Sequence, residues 1–172
     1  PLKKLDLMKK TAIVLGSGGA ARSVIQGLIN LKLSKITIIS RNTNSLNELI
    51  SNFEKEIKIE GVVDINPEID NLIQKTDLIV NTTPVGMSKT KYDNELPFGQ
   101  SIWNTINSHT IVYDLIYNPS PTPFLKYCEK KGCMTIDGLQ MLISQGAKSL
   151  SFWTNGLEVP FEVMHKAIKK YL

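Results

Sequence analysis

The stretch from Val14 to Leu31, VLGSGGAARSVIQGLINL, places small residues at the mouth of an apolar segment. Gly16, Gly18 and Ala21 fit the spacing G-x-G-x-x-G/A, at the point where a short apolar run gives way to an amphipathic one. In that context Gly16 makes the tight turn and Gly18 lets a pyrophosphate approach the backbone. Ala21 lets a helix lie close to a strand. The free N–H groups at the helix start, together with its dipole, then attract phosphate. The plain alternative is a tight turn that binds nothing. A P-loop is excluded, because no Gly-Lys-Ser/Thr ending follows.

A second polar cluster, Ser40-Arg41-Asn42-Thr43-Asn44, follows the next apolar run. A site for NAD places Asp or Glu there to hold the ribose 2′-hydroxyl. Here the acid is absent and a guanidinium is present. Arg41 can fork onto a 2′-phosphate and stack on adenine, and Ser40, Asn42 and Thr43 add donors. An exposed arginine after a strand is the alternative. The pattern reads as NADP rather than NAD.

Three further stretches carry polar groups. NTTPVGM (81–87) offers an amide at Asn81 and hydroxyls at Thr82 and Thr83, with Pro84 and Gly86 shaping a turn. In DLIYNPSPTPFL (114–125), Asp114 ends a strand, Tyr117 projects beyond it, and Thr122-Pro123 has the look of a helix start. In GLQMLISQGAKSLSFW (138–153), Leu139, Ile143, Leu150 and Trp153 form one apolar stripe, while Gly138, Met141 and Gln145 share another face. Gly138 can bring the helix mouth near a ligand, and Gln145 suits substrate hydroxyls unless it is simply an exposed polar residue.

The elements that must position these groups alternate. Strands are expected at 11–15, 35–40, 57–63, 77–80, 110–115 and 133–136, the third being the weakest. Helices are expected at 18–31, 45–53, 67–75, 122–132, 138–153 and about 159–171, with a long polar loop after the fourth strand. Near-continuously apolar strands alternating with helices specify a parallel sheet covered on both faces. The expected fold is a doubly wound, Rossmann-type α/β sheet of six parallel strands in the order 3-2-1-4-5-6, closed by two C-terminal helices. Ligands bind such sheets at the carboxyl ends of the strands, where all five clusters fall.

The chain has 172 residues, 42% of them hydrophobic and 21% charged, which suits one ordinary globular core. Its net charge of +4 is scattered and lacks a basic stripe with interleaved aromatics, so nucleic acid is not an expected partner. No apolar run approaches membrane-spanning length, and no membrane partner is expected. Cys128 and Cys133 are the only cysteines and stand apart from His109 and His165, which argues for a reducing compartment and against a metal site.

Taken together, GSGGAARS, SRNT, NTTPVGM, DLIYNPSPTPFL and DGLQMLISQGAKSLSFW resemble the NADP-binding half of the shikimate dehydrogenase family, in that family's order and over almost the whole chain. The resemblance implies NADPH-dependent, reversible reduction of 3-dehydroshikimate to shikimate, in aromatic amino-acid biosynthesis in the cytoplasm. It implies a pyrophosphate loop at Gly16, Ser17, Gly18, Gly19 and Ala20, and a 2′-phosphate and adenine site over Ser40, Arg41, Asn42, Thr43 and on to Ser45. Thr82, Thr83, Leu115, Gly138 and Met141 fall beside the cofactor, and Tyr117 and Gln145 beside the substrate.

Two departures stand out. The adenine motif usually reads Asn-Arg-Thr with a second base soon after, whereas here it reads Ser40-Arg41-Asn42, with Ser45 in the place of that base. The family's catalytic Lys and Asp lie in an N-terminal substrate domain, expected to precede Pro1, so no catalytic residue is assigned here and neither Lys3 nor Asp6 is given that role. The expected division is 1–137 for the cofactor and 138–172 for helices that return to the substrate domain. Part of a stripe at Phe161, Met164, Ile168 and Leu172 is then expected to be exposed or covered by association, with an oligomer an open outcome. Two other readings stay open. One is a different NADP oxidoreductase, of the quinate/shikimate or methylene-tetrahydrofolate dehydrogenase type; the other is an NADP sensor without chemistry.

Overall fold

A computed structural model describes residues 1–64, 66–158 and 160–168. Six strands form a single sheet: β1 (Thr11–Leu15), β2 (Lys35–Ser40), β3 (Lys58–Val63), β4 (Leu78–Asn81), β5 (Ile111–Asp114) and β6 (Met134–Ile136). They lie in the order β3-β2-β1-β4-β5-β6 and every neighbouring pair is parallel, as the sequence pattern predicts. The helices are α1 (Gly19–Asn30), α2 (Thr43–Ser51), α3 (Ile69–Lys75), α4 (Pro123–Lys130), α5 (Leu139–Trp153) and α6 (Phe161–Ile168).

The inner strands are largely apolar because both of their faces are covered. In β1, Ala12 and Val14 join a cluster with Ile25 and Leu28 of α1 and Leu46 and Leu49 of α2. Ile13 and Leu15 point the other way, into a cluster with Ile69 and Ile73 of α3 and Phe124, Leu125 and Cys128 of α4. Burying each such Leu or Ile stabilises the fold by roughly 1.5–3 kcal/mol. The two helical layers therefore clamp the sheet from opposite sides. The edge strand β3 is the polar one, and Glu60 there pairs with Lys35 of β2 at 2.6 Å. Its exposure explains its weak apolar signal.

The register aligns the strand ends. Leu15 lies opposite Ile39 and Asn81, and Asn81 lies opposite Asp114. The segments that begin at Gly16, Arg41, Thr82 and Leu115 consequently leave the sheet along one edge.

Three local expectations need correction. The long loop after β4 is not uniformly polar: a single 3-10 turn, Ser101–Thr105, buries Trp103 completely, with its ring centroid 4.6 Å from that of Phe124. On α5, only Ile143 of the expected stripe is buried. Trp153 is 77% exposed, because no element among the described residues covers the end of that helix. The last helix is described only as Phe161–Ile168, so the expected residues 159 and 169–171, and Leu172 of its stripe, lie outside the described residues. It leans on α5, where a Cβ on Gly146 would sit 3.0 Å from the Met164 methyl. No residue of α6 is buried, and Phe161 remains 40% exposed.

Candidate functional site

The chain turns sharply where β1 meets α1. The Gly16 amide donates to the Ile39 carbonyl at 2.8 Å. Its φ of +97° is a left-handed conformation that a side chain rarely tolerates. A Cβ there would also sit 3.1 Å from both Thr82 Oγ1 and Thr83 Cγ2. Gly16 is thus required by the protein itself.

Gly18 and Gly19 are different. A Cβ on either would meet nothing within 4 Å, and neither has a positive φ. Nothing within the chain demands glycine at these positions. The space is open, Gly18 to Ala20 are exposed, and the first turn of α1 carries no acid. Open volume beside unpaired helix N–H groups is what a pyrophosphate needs. Ala21 is fully buried, as close helix–sheet packing requires.

Beside this mouth, three hydroxyls meet. Ser17 Oγ lies 2.8 Å from Ser40 Oγ and 2.6 Å from Ser45 Oγ. Ser40 also accepts from the Asn42 amide at 3.2 Å and is only 4% exposed. Asn42 caps α2, its Oδ1 accepting from the Ser45 amide at 3.0 Å. The Ser40 hydroxyl is thus engaged within the cluster, and the Asn42 amide oxygen closes a helix while its amide nitrogen stays on an exposed residue. Arg41 and Thr43 remain exposed. Arg41 borders a cavity of about 260 Å³ together with Asp64, Thr83, Tyr92 and Phe98.

On the other side of the mouth, at the ends of β4 and β5, Thr82, Thr83, Pro84, Met87, Leu115 and Tyr117 border a cavity of about 350 Å³. Its described lining carries hydroxyls, amides and apolar groups but no charged side chain. The Thr82 hydroxyl donates to the Leu15 carbonyl at 2.6 Å and the Thr83 hydroxyl to Asn81 Oδ1 at 2.7 Å. Asn81 itself is fully buried. These hydrogen bonds hold the edge together, and the two threonines still border the cavity. Thr83 borders both cavities and lies beside Gly16, so the two hollows meet next to the glycine turn.

A network the sequence does not announce fixes the second hollow. Asp114 Oδ1 accepts from Asn81 Nδ2 at 2.9 Å and from the Ile116 amide at 3.1 Å, and Oδ2 accepts from Thr122 Oγ1 at 2.7 Å. Burial pushes its carboxyl up to about 6, against the pull of those three donors. Thr122 in turn caps α4, accepting from the Leu125 amide at 3.2 Å. Asp114 and Thr122 were each legible as element ends; the bond between them was not, because only the fold brings them together.

Gly138 is buried, and its amide donates to the Ile116 carbonyl at 3.0 Å. A Cβ there would sit 1.9 Å from the Leu115 carbonyl oxygen. Glycine at this helix mouth thus admits the chain's own backbone. Met141 packs half-buried on the α1-side cluster, and Gln145 is exposed. Neither borders the cavities, so the face predicted for Gly138, Met141 and Gln145 runs from the core out to solvent.

The family model described as shikimate/quinate 5-dehydrogenase matches residues 2–91. A second, the shikimate 5′-dehydrogenase C-terminal domain, matches residues 138–169. The shikimate dehydrogenase (NADP(+)) of Prochlorococcus marinus strain MIT 9515 is 76% identical over all 172 residues of this chain, which span 60% of that protein's length. The protein of the same name from Synechocystis is 37% identical over 98% of the chain and 58% of its own length. The chain thus spans about three-fifths of the curated relatives it matches. Among solved structures, a shikimate dehydrogenase in complex with NADP+ superimposes with a TM-score of 0.76 and 32% identity, over 95% of this chain and 55% of its own. The shikimate 5-dehydrogenase of Listeria monocytogenes, in complex with shikimate and NAD, shares the fold with a TM-score of 0.85 at 24% identity, over 97% of this chain and 59% of that one.

Proposed function

Because the chain belongs to the shikimate/quinate 5-dehydrogenase family, we propose that it is the NADP-binding part of a shikimate dehydrogenase, which reversibly reduces 3-dehydroshikimate to shikimate. The observation that carries this reading is the open, acid-free mouth at Gly18–Gly19, after a Gly16 turn that abuts Thr83, which borders both the hollow of Arg41 and the hollow of Tyr117. NADPH, when bound, supplies the hydride. The α1 mouth holds the pyrophosphate, and Arg41 grips the 2′-phosphate. Leu115, Thr83 and Pro84 wall the hollow in which a nicotinamide is kept from water. Tyr117, 39% exposed at its rim, and the exposed Gln145 of α5 are the residues that meet substrate.

A developing alkoxide needs a proton donor. The hollow beside Tyr117 has no charged side chain in its described lining. The proton-transfer groups are accordingly assigned to the length of the relatives that this chain does not span. Residues 1–137 are the cofactor-binding unit in this reading, and 138–172 link it to the substrate side. Cytoplasmic action suits two buried, unbridged cysteines.

The test is shikimate oxidation with NADP+, run on this chain alone and on a fusion behind the remaining N-terminal length of the 76% identical relative. NADPH formation by the fusion, and none by the chain alone, supports the reading. A fusion that binds NADPH yet is silent toward shikimate refutes it in favour of a cofactor sensor. Turnover by the chain alone refutes the placement of the proton-transfer groups.

A further inference from the structure

The loop between β4 and the Ser101–Thr105 turn brings a second cation beside a residue of the Arg41 hollow. Tyr92 of this loop borders that hollow with Arg41. The neighbouring Lys91 reaches over the Tyr92 ring, its Nζ 4.9 Å from the centroid. The Lys91 ammonium first and the Arg41 guanidinium second lower the Tyr92 pKa below the usual 10.0. Two cations, from the segments that follow β2 and β4, thus act on one phenol. Asp64 and Glu95 border the same hollow. Among the described residues, however, no carboxylate lies within 4.0 Å of Arg41 or Lys91. On the Arg41 side, the first turn of α2 carries no acid and Ser45 carries no charge.

Like charges held together without a counterion are unfavourable alone and become favourable once an anion joins them. A phosphate monoester carries up to two negative charges near neutral pH, and one guanidinium leaves it partly unmatched. We propose that Lys91, braced by Tyr92, is the second cation of the 2′-phosphate site and a determinant of NADPH-over-NADH selectivity. The proposal rests on the NADP reading above, because it names a further residue of that same site.

Two half-cofactors that differ by the 2′-phosphate alone, 2′,5′-ADP and 5′-AMP, are titrated calorimetrically into the full chain and into Arg41→Met, Lys91→Met and Tyr92→Phe. Lys91→Met is expected to weaken 2′,5′-ADP about tenfold, as loss of one charged hydrogen bond does, and to leave 5′-AMP unchanged. Tyr92→Phe is expected to weaken 2′,5′-ADP about two- to fourfold by freeing Lys91 from its brace. The unchanged 5′-AMP affinity also reports an intact fold. If Arg41→Met weakens 2′,5′-ADP and Lys91→Met shifts it by less than about twofold, this proposal is overturned while the NADP reading stands. If neither variant matters, both fall together. Equal weakening of 5′-AMP by Lys91→Met overturns the assignment to the 2′-phosphate.

Discussion

Replacing Gly138 by Ala adds one methyl group, and the structure says where it must go. The new Cβ would lie 1.9 Å from the Leu115 carbonyl oxygen and 2.5 Å from its carbon. Real Cβ contacts essentially never fall below 3.0 Å, so the two backbones must part by at least about 1.1 Å. Neither side is a flexible side chain that can swing away. Parting them also breaks the 3.0 Å bond from the Gly138 amide to the Ile116 carbonyl. Overpacking typically costs about 1–3 kcal/mol and the lost hydrogen bond about 1 more, so a loss of roughly 2–4 kcal/mol is expected. For a chain of this size that lowers Tm by about 5–12 °C. Gly18→Ala is the matched control. Its Cβ meets nothing within 4 Å, so only a poorer helix cap is paid for, under about 1 kcal/mol. Thermal unfolding of both variants, with a cofactor titration well below Tm, makes the comparison. Gly138→Ala should lose stability, whereas Gly18→Ala should keep stability and lose cofactor affinity. A Gly138→Ala protein as stable as the parent would refute the claim that this glycine admits the chain's own backbone. A Gly18→Ala protein with unchanged affinity would make the mouth a mere turn.

Other consequences follow from the buried network and the loop after β4. Thr122→Val removes the 2.7 Å bond to Asp114 and the cap on Leu125, and should destabilise by about 2–3 kcal/mol in urea titration. Asp114 has a folded pKa of about 6 against an ordinary 3.8, so folding takes up a proton between those values. The stability carried by its protonated form is complete below about pH 4 and is lost as pH rises through about 6. Relative to the parent, Asp114→Asn should therefore gain on the order of 2–3 kcal/mol between about pH 4 and pH 7; a pH-independent difference would place the carboxyl in solvent. Trp103→Ala empties a fully buried site against Phe124 and should cost about 3–5 kcal/mol, where a truly mobile loop would lose almost nothing.

The sheet was readable because its cause is local. Runs such as Ala12–Leu15 and Leu78–Val80 are apolar at consecutive positions, and that pattern forces two-sided burial whatever packs on them. The glycine mouth was readable for the same reason, as its residues are adjacent in sequence. Asp114 with Thr122 and Asn81, and Gly138 with Leu115, were not readable, since each pairing is made by the return of the chain across β5 or β6. Spacing placed Gly138 at a helix mouth correctly and could not say that a carbonyl already fills the space. Trp103 was a missed signal. A tryptophan amid Ile102 and Ile106 in a supposedly polar loop marks a buried turn, although no periodic run surrounds it. Lys91 and Tyr92 carried no signal at all, because a solvated loop lysine and one facing Arg41 look alike until β2 and β4 share an edge.

The central claim is that the β1–α1 mouth and the Arg41 hollow form one dinucleotide site that recognises a 2′-phosphate. Its most direct test is a pair of calorimetric titrations of the unmodified chain, one with NADPH and one with NADH, in the same buffer. The account predicts one site for each, with NADPH bound at least about tenfold more tightly, the difference shrinking as salt is raised. Equal affinities for the two cofactors, or binding of neither, would contradict it.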